Sequence, residues 1–231
     1  MAGTMTLSAS LIPIGLVPTS GNGLGAVNTS ISFSNSGAAS ESGCVGILGG
    51  SQSSSSAVCP SGFAGGNNSN PQAPSVKNQT FTAADLGFNS TTNFANLVLL
   101  FNAIESDQSI TLDNIALTLY GDGVSQTFSY AGAPIVFNAL PGQGNAGFGF
   151  QLDATQAAAA NAFLAAHPTT QIGTAATASG GLSAGDESIS LATITSVQPG
   201  PSGVPEPSTT YLTLGGMFLV GISMMRRNRN H

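Results

Sequence analysis

Short apolar segments, separated by turn signals at roughly ten-residue spacing, constrain the fold of this chain more than any other feature. The most apolar of them is NLVLLFNA, residues 96–103, a continuous run typical of a central strand that is buried on both faces. Residues 115–119 alternate apolar with small or polar side chains. Asp122 and Gly123 then supply a turn that tolerates positive φ, and residues 124–130 return as the second strand of a hairpin. The spacing predicts antiparallel sheets.

Further segments carry the same strand signal, and together they predict a mainly β body over residues 1–195. We expect an antiparallel β-sandwich, jelly-roll-like, with one Ala-rich helix. The further strand segments are residues 11–17, 26–33, 134–140, 147–153, 171–178 and 187–195.

The single helix is predicted for the segment DATQAAAANAFLAAHP, which begins at Asp153. Asp153 is suited to cap the helix N-terminus, and Gln156 follows three residues later, as in a capping box. Alanine is the best helix former, and Pro168 ends the run. The sequence therefore predicts a helix between Asp153 and His167.

Charged residues are scarce and mostly acidic. They make up 6% of the 231 residues, and the net charge is -6. Before Arg226 the only basic residue is Lys77. Such a body lacks the cluster of lysines and arginines that phosphate binding needs, which excludes nucleic acid as a partner and disfavours anionic membrane surfaces and phosphorylated substrates.

Two segments of low complexity accompany the body. Residues 49–75 are dominated by glycine, serine, asparagine and proline and predict a long surface loop. Residues 196–207 are rich in proline and glycine, cannot join a sheet interior, and predict an extended linker.

The two cysteines, Cys44 and Cys59, fit a disulfide. Such a bond would close a loop of about 16 residues and stabilise the fold by about 3 kcal/mol in an oxidising compartment. The alternative is a pair of free, partly exposed thiols. Zinc is not expected, because two cysteines without a nearby histidine do not complete a tetrahedral site.

The C-terminal segment, residues 208–231, predicts a single transmembrane helix. Residues 211–225 carry no charge, and Arg226, Arg227 and Arg229 follow directly. By the positive-inside rule these arginines stop transfer and remain cytoplasmic, so the body lies outside. The alternative is an amphipathic helix that packs against the body and places its basic end at its own C-terminus.

The tail resembles the PEP-CTERM sorting signal of exported bacterial proteins. The resemblance rests on Val204, Pro205, Glu206 and Pro207, then the apolar segment, then the arginine cluster. It implies recognition by exosortase, a membrane-embedded cysteine protease or transpeptidase, with cleavage near the Pro-Glu-Pro and delivery to the cell surface or the exopolysaccharide matrix.

The N-terminus departs from that family, whose members normally begin with a cleavable secretory signal. Neither lysine nor arginine precedes Lys77, and the apolar run of residues 11–17 is interrupted by Pro13. We interpret that run as the first strand of the mature domain and expect a basic and apolar leader upstream of Met1.

Few residues of the body are candidates for chemistry. His167 lacks an accompanying G-x-S-x-G motif, and we expect it at the helix C-terminus, where the helix dipole favours it. Glu105, Asp107 and Asp113 are the candidates for a glycan hydrolase, although turn capping explains them as well. Asp107, Asp113 and Asn114 are candidate calcium ligands, but their spacing does not match an EF-hand.

These observations predict an exported, non-catalytic protein of the cell surface or the exopolysaccharide matrix. Its expected partners are exosortase, the lipid bilayer through the C-terminal helix, and extracellular polysaccharide; no cofactor is expected apart from the possible calcium ion. The alternatives are an extracellular hydrolase that acts on glycans and a binding module that stays anchored in the membrane.

Overall fold

A computed structural model describes residues 11–18, 28–33, 40–63, 78–88, 93–102, 109–137, 146–180 and 187–193. These residues form a mainly β structure with antiparallel sheets and one helix. The elements are β1 Leu11–Pro18, β2 Asn28–Phe33, β3 Ser40–Leu48, β4 Ser51–Ser53, a 3-10 turn Ser56–Val58, β5 Phe81–Thr82, β6 Leu97–Asn102, β7 Ile110–Gly121, β8 Val124–Ser129, β9 Ile135–Phe137, β10 Ala146–Leu152, α1 Ala154–Ala166, β11 Gln171–Ser179 and β12 Glu187–Thr193.

The first sheet has five strands in the order β1-β10-β6-β12-β2. Strand β6 lies in the middle of it, and all six residues from Leu97 to Asn102 are buried. The sequence prediction of a central strand buried on both faces is therefore confirmed. Val98 and Leu100 pack with Val17 and Ala192 on one face of β6, while Leu97 and its alternate neighbours face the main core.

The second sheet has seven strands. Five of them run in the order β4-β3-β11-β7-β8, β5 pairs with β11, and β9 pairs with β7. The predicted β7–β8 hairpin is confirmed, and its turn residues Asp122 and Gly123 have φ of 49° and 80°. Positive φ at both central positions is the requirement of a type I′ turn, which matches the twist of the flanking strands.

One hydrophobic core receives side chains from both sheets. The five-stranded sheet contributes aromatic residues such as Phe33, Phe101 and Phe150, all fully buried. The seven-stranded sheet contributes mainly aliphatic residues such as Leu117 and Ile172. Because each strand alternates its side chains between two faces, this shared core defines an inner face for each sheet.

The strand pairing is nested. β7 pairs with β8, β6 with β10, β3 with β11, and β2 with β12. In sequence, β7 and β8 lie between β6 and β10, these lie between β3 and β11, and these lie between β2 and β12. The earlier a strand comes in the first half of this set, the later its partner comes in the second half.

The helix α1 is confirmed, and so is the half of the predicted capping box that Asp153 contributes. Asp153 Oδ1 accepts a hydrogen bond from the backbone N–H of Gln156 at 2.9 Å, and the C-cap is His167. The helix is tied to the body by Asn161, whose Oδ1 accepts a hydrogen bond from the backbone N–H of Phe94 at 3.2 Å.

Two local predictions need correction. Residues 51–53 of the predicted 49–75 loop form strand β4, because Gln52 pairs with Ile47 of β3; residues 64–75 lie outside the described residues. For the segment 26–33, the alternation of apolar and small polar residues predicts a half-buried strand, but in β2 the polar residues Ser30 and Ser32 are buried as well.

The linker at residues 196–207 and the segment 208–231 lie outside the described residues. Within the described ranges, no helix has the length and apolar character needed to cross a bilayer.

Candidate functional site

An open groove of about 840 Å³ lies on the outer face of the seven-stranded sheet. Its floor comes from β7, β8 and the start of β11, and its wall comes from the β3–β4 turn and the residues that follow β4. Tyr120, Thr118 and Thr127 lie in the floor, with Gln171 and Thr169 at one side.

A disulfide between Cys44 and Cys59 builds the wall of this groove. The two Cα atoms lie 5.3 Å apart, and Cys44 is buried on the outer face of β3. The bond holds the 3-10 turn against the sheet, where Val58 and Phe63 pack on Ala116 of β7 and on Ala175 of β11 in a small cluster separate from the main core.

Tyr120 fits the groove floor because glycines leave room for its ring. A Cβ atom at Gly46 would collide with that ring, and one at Gly173 would press on the ring while colliding with the carbonyl oxygen of Val45. The Tyr120 hydroxyl donates a hydrogen bond to the carbonyl oxygen of Val58 at 3.3 Å, which joins the floor to the wall. Burial raises the pKa of Tyr120 above its ordinary value, so the hydroxyl keeps its proton at neutral pH.

An acid and a histidine meet at one end of the groove. Asp122 Oδ2 in the β7–β8 turn lies 2.7 Å from Nδ1 of His167, the C-cap of α1. The Phe163 ring lies 4.6 Å from the imidazole ring, and Gly121 leaves the space that the imidazole occupies. The His167 side chain is 23% exposed and the Asp122 side chain 64% exposed, so solvent screens their electrostatic interaction. The contact holds the β7–β8 turn against the end of α1.

The groove offers neutral hydrogen-bonding groups. Thr118 and Thr127 share a hydroxyl–hydroxyl hydrogen bond of 3.0 Å, and Ser125 is exposed beside them. The described residues include neither lysine nor arginine, and Asp122 is the one carboxylate among the described lining residues. The arrangement therefore suits a ligand rich in hydroxyl groups better than an anion.

Of the carboxylates proposed from sequence, the structure describes only Asp113; Glu105 and Asp107 lie outside the described residues. Asp113 Oδ1 accepts a hydrogen bond from Ser179 Oγ at 3.0 Å. Asn114 Oδ1 accepts one from the backbone N–H of Ile115 at 2.9 Å. Both side-chain oxygens thus bond within the sheet, and no three His, Cys, Asp or Glu residues of the described ranges form a metal-binding group.

The predicted sorting residues Val204, Pro205, Glu206 and Pro207 lie outside the described part of the chain. So do the three arginines of the predicted stop-transfer segment, Arg226, Arg227 and Arg229.

The groove itself was not predicted. Its residues come from three segments far apart in sequence, and only the pairing of β3, β11 and β7 brings them together. The hairpin turn at Asp122 and the helix end at His167 were each predicted, but nothing in the local sequence indicates that the two meet.

Comparisons of this chain with protein-family models, with curated proteins and with solved structures find no match.

Proposed function

We propose that this chain is an exported, non-catalytic protein of the cell surface or the exopolysaccharide matrix, with a C-terminal PEP-CTERM-like sorting signal that exosortase processes. The structural observation that supports the export part is the Cys44–Cys59 disulfide, of which Cys44 is buried. Disulfides persist in oxidising compartments and are rare in the cytosol, and this one fixes the wall of the groove.

The proposed destination, the cell surface or the exopolysaccharide matrix, is inferred from the C-terminal tail. Val204, Pro205, Glu206 and Pro207 precede an uncharged stretch that ends in an arginine cluster. In the proposed role the prolines keep the recognition segment extended, so that a protease can bind it. The apolar stretch then holds the chain in the bilayer until cleavage, with Arg226, Arg227 and Arg229 on the cytoplasmic side.

For the body we propose a jelly-roll-like β-sandwich. Jelly rolls consist of two sheets whose eight strands form two Greek keys. The nested pairing supports this assignment: β2, β12, β6 and β10 supply one four-stranded set, and β3, β11, β7 and β8 supply the other. The core shared by both sheets supports it further.

Extracellular polysaccharide is the partner we propose for the groove. Its support is the set of neutral donors and acceptors around Tyr120, Thr127 and Gln171, together with the lack of lysine and arginine in the described residues. Because sugars present many hydroxyl groups and no obligatory charge, such a lining matches a neutral or weakly charged glycan.

The sorting proposal is tested with the full-length chain, expressed in a host that carries exosortase. Intact-mass measurement of protein from the medium and from membranes is expected to find mature protein without the segment that follows Pro207. Alanine replacement of Pro205, Glu206 and Pro207 is expected to leave full-length protein in the membrane. The matched control replaces Pro199 and Pro201, which lie in the same linker but outside the motif.

Two results would contradict the sorting proposal. Full-length wild-type protein found only in membranes would establish a permanently anchored binding module instead. Loss of processing in the control variant would show that the linker as a whole, rather than the Pro-Glu-Pro, is recognised.

Glycan binding is tested separately by retardation of the protein in gels that contain neutral polysaccharides. Thr127→Val removes a groove hydroxyl and is expected to weaken retardation at least about threefold, in keeping with one lost hydrogen bond of about 1 kcal/mol. Thr111→Val is the matched control, because Thr111 is an equally half-buried threonine of the same sheet away from the groove. Equal retardation of both variants would reject the groove as the binding site.

A further inference from the structure

Gln171 lies at the start of β11 and lines the groove, and its side-chain amide meets a chain of hydrogen bonds that runs to Gln52 of β4. We propose that this chain holds the Gln171 side-chain carbonyl oxygen towards the groove, so that Gln171 selects ligands that donate a hydrogen bond from a hydroxyl group. The inference rests on the proposed function, because it takes the groove as the glycan site, and it names the chemical group by which the glycan is recognised.

The side-chain amide of Gln52 is oriented by two backbone contacts. Its Nε2 donates a hydrogen bond to the carbonyl oxygen of Asn78 at 3.0 Å, and its Oε1 accepts one from the backbone N–H of Thr80 at 3.0 Å. A carbonyl oxygen can only accept and a backbone N–H can only donate, so reversing the amide would lose both bonds. Gln52 Oε1 is therefore an acceptor in every contact that it makes.

The Thr80 hydroxyl lies between two side-chain amides. Thr80 Oγ1 is 3.0 Å from Gln52 Oε1 and 2.9 Å from Gln171 Oε1. A hydroxyl group carries one hydrogen, so it cannot donate a full hydrogen bond to two carbonyl oxygens at once. Because Thr80 is buried, an oxygen–oxygen contact without a hydrogen between the atoms carries the cost of an unsatisfied polar group.

Rotation of the Gln171 amide by about 180° removes this conflict. The rotation exchanges oxygen and nitrogen with almost no change of shape, so hydrogen bonding decides which of the two faces Thr80. With the NH₂ group facing Thr80, Gln171 donates to Thr80 Oγ1 and Thr80 donates to Gln52 Oε1. Every contact then joins one donor to one acceptor, and hydrogen bonds aligned in one direction strengthen each other.

The corner of the Gln171 amide that does not face Thr80 is accessible to solvent. It makes no hydrogen bond with the described residues, and it is not among the buried polar atoms that lack a partner. Water can donate or accept at this corner, so it imposes no orientation of its own. The contact with Thr80 therefore decides the orientation and leaves the carbonyl oxygen for a ligand in the groove.

The groove floor contains a second group that can only accept. The Tyr120 hydroxyl donates its one hydrogen to the carbonyl oxygen of Val58, so only its lone pairs remain for a ligand. Both Tyr120 and Gln171 thus require donors from the ligand. A sugar hydroxyl can donate to them, whereas the ether oxygen that O-methylation leaves cannot. The expected ligand is therefore a glycan with free hydroxyl groups.

The binding experiment measures retardation of the full-length chain, in mild detergent, in gels that contain dextran, galactomannan or hydroxyethyl cellulose. Each polymer is compared with its O-methylated form. We expect at least one free polymer to retard the wild-type protein and its methylated form to bind about fivefold more weakly, in keeping with one lost hydrogen bond.

Two variants test whether Gln171 causes this discrimination. Gln171→Met removes the carbonyl oxygen, and Thr80→Val releases the Gln171 amide without altering Gln171 itself. Each is expected to reduce the discrimination to less than about twofold. Exclusion of the methyl groups by shape alone would persist in both variants and would overturn the proposal.

Thr29→Val is the matched control. It also removes a threonine hydroxyl that bonds to another side chain, Ser190 Oγ, but it does so in the five-stranded sheet and away from the groove. The control is expected to keep the full discrimination even if its Tm falls. Loss of discrimination in this control as well would show that Thr80 acts only through stability, and would reject its role in positioning Gln171.

The orientation of the Gln171 amide is measured without any ligand, by NMR of protein that carries ¹⁵N in its glutamine side chains. The Gln171 signal is assigned by its loss in Gln171→Met. With the NH₂ group facing Thr80, its protons should show nuclear Overhauser contacts to the Thr80 side chain. Absence of these contacts in the folded wild-type protein would overturn the proposal.

The outcomes separate this inference from the proposed function. Equal retardation of the wild-type protein by free and methylated polymers would reject the selection of donors and would leave the groove as a glycan site. Retardation by none of the polymers would reject the glycan role of the groove and the ligand selection with it. The Overhauser contacts would in that case establish the amide orientation alone.

Discussion

The two faces of the seven-stranded sheet are stabilised in different ways. The inner face carries large side chains such as Leu117, Leu119 and Ile172, which are fully buried in the main core. The outer face carries small side chains, including Ala116 and Ala175, and is covered by the segment that the disulfide ties down. The inner face packs into the main core, whereas the outer face adds a disulfide and the Tyr120–Val58 hydrogen bond to a smaller apolar cluster.

This difference shows why the groove lies on the outer face. Small residues and glycines let the covering segment and the Tyr120 ring approach the backbone, as at Gly46 and Gly173. Among the described residues, the covering segment extends over only part of the sheet, and the part between the disulfide and the β7–β8 turn forms the groove. Four predictions, from the largest expected effect to the smallest, test the contrast between the faces.

Leu117→Ala should cause the largest loss, because it leaves a cavity in the inner core. We expect the free energy of unfolding to fall by about 2–5 kcal/mol in chemical denaturation. Val124→Ala on neighbouring β8 is the control, since Val124 is 50% exposed and its truncation should cost less than about 0.5 kcal/mol. Equal losses for the two variants would mean that the inner face is not the better packed one.

Removal of the disulfide should cost about 3 kcal/mol on the chain-entropy estimate for a loop of this length. The variant is Cys44→Ser with Cys59→Ser, and the measurement is Tm with and without a reducing agent. The reducing agent is expected to lower Tm of the wild type and to leave that of the double variant unchanged. An equal change of Tm in both proteins would show that the disulfide does not hold the covering segment on the outer face of the sheet.

Gly173→Ala should destabilise by about 1–3 kcal/mol, because the added methyl group meets the backbone carbonyl oxygen of Val45 and the ring of Tyr120. Thermal unfolding measures the loss. Thr177→Ala on the same strand adds no atoms and serves as the control. An unchanged Tm for Gly173→Ala would mean that the outer face has more room than the structure gives it.

The contact between Asp122 and His167 should contribute least, below about 1 kcal/mol, because it is half-exposed and screened by water. Asp122→Asn keeps a side chain that tolerates positive φ in the turn and removes the charge. A double-mutant cycle with His167→Gln isolates the coupling between the two residues, which should shrink further in high salt. A coupling above about 2 kcal/mol would indicate a buried interaction instead.

Local features of the fold could be predicted from sequence. The continuous run at residues 96–103 predicted the central strand β6, and the two closing strands agree with β11 and β12 to within two residues. Asp153 predicted the start of α1. In each case a single stretch of chain contains the whole signal.

Strand β3 was missed because its sequence, SESGCVGIL, has little strand character of its own. It becomes a strand by pairing with β11 on one edge and β4 on the other, and only Val45 supplies a large side chain to the main core. This is a case where tertiary context outweighs local propensity. The groove escaped prediction for the same reason, since it depends on long-range register.

The nested pairing also sets an order of assembly. The β7–β8 hairpin can form as soon as both strands exist, whereas β2 has to wait for β12, the last strand among the described residues. Contacts between such distant segments form slowly. We therefore expect β2 to join the five-stranded sheet only after nearly all of the described residues have been synthesised.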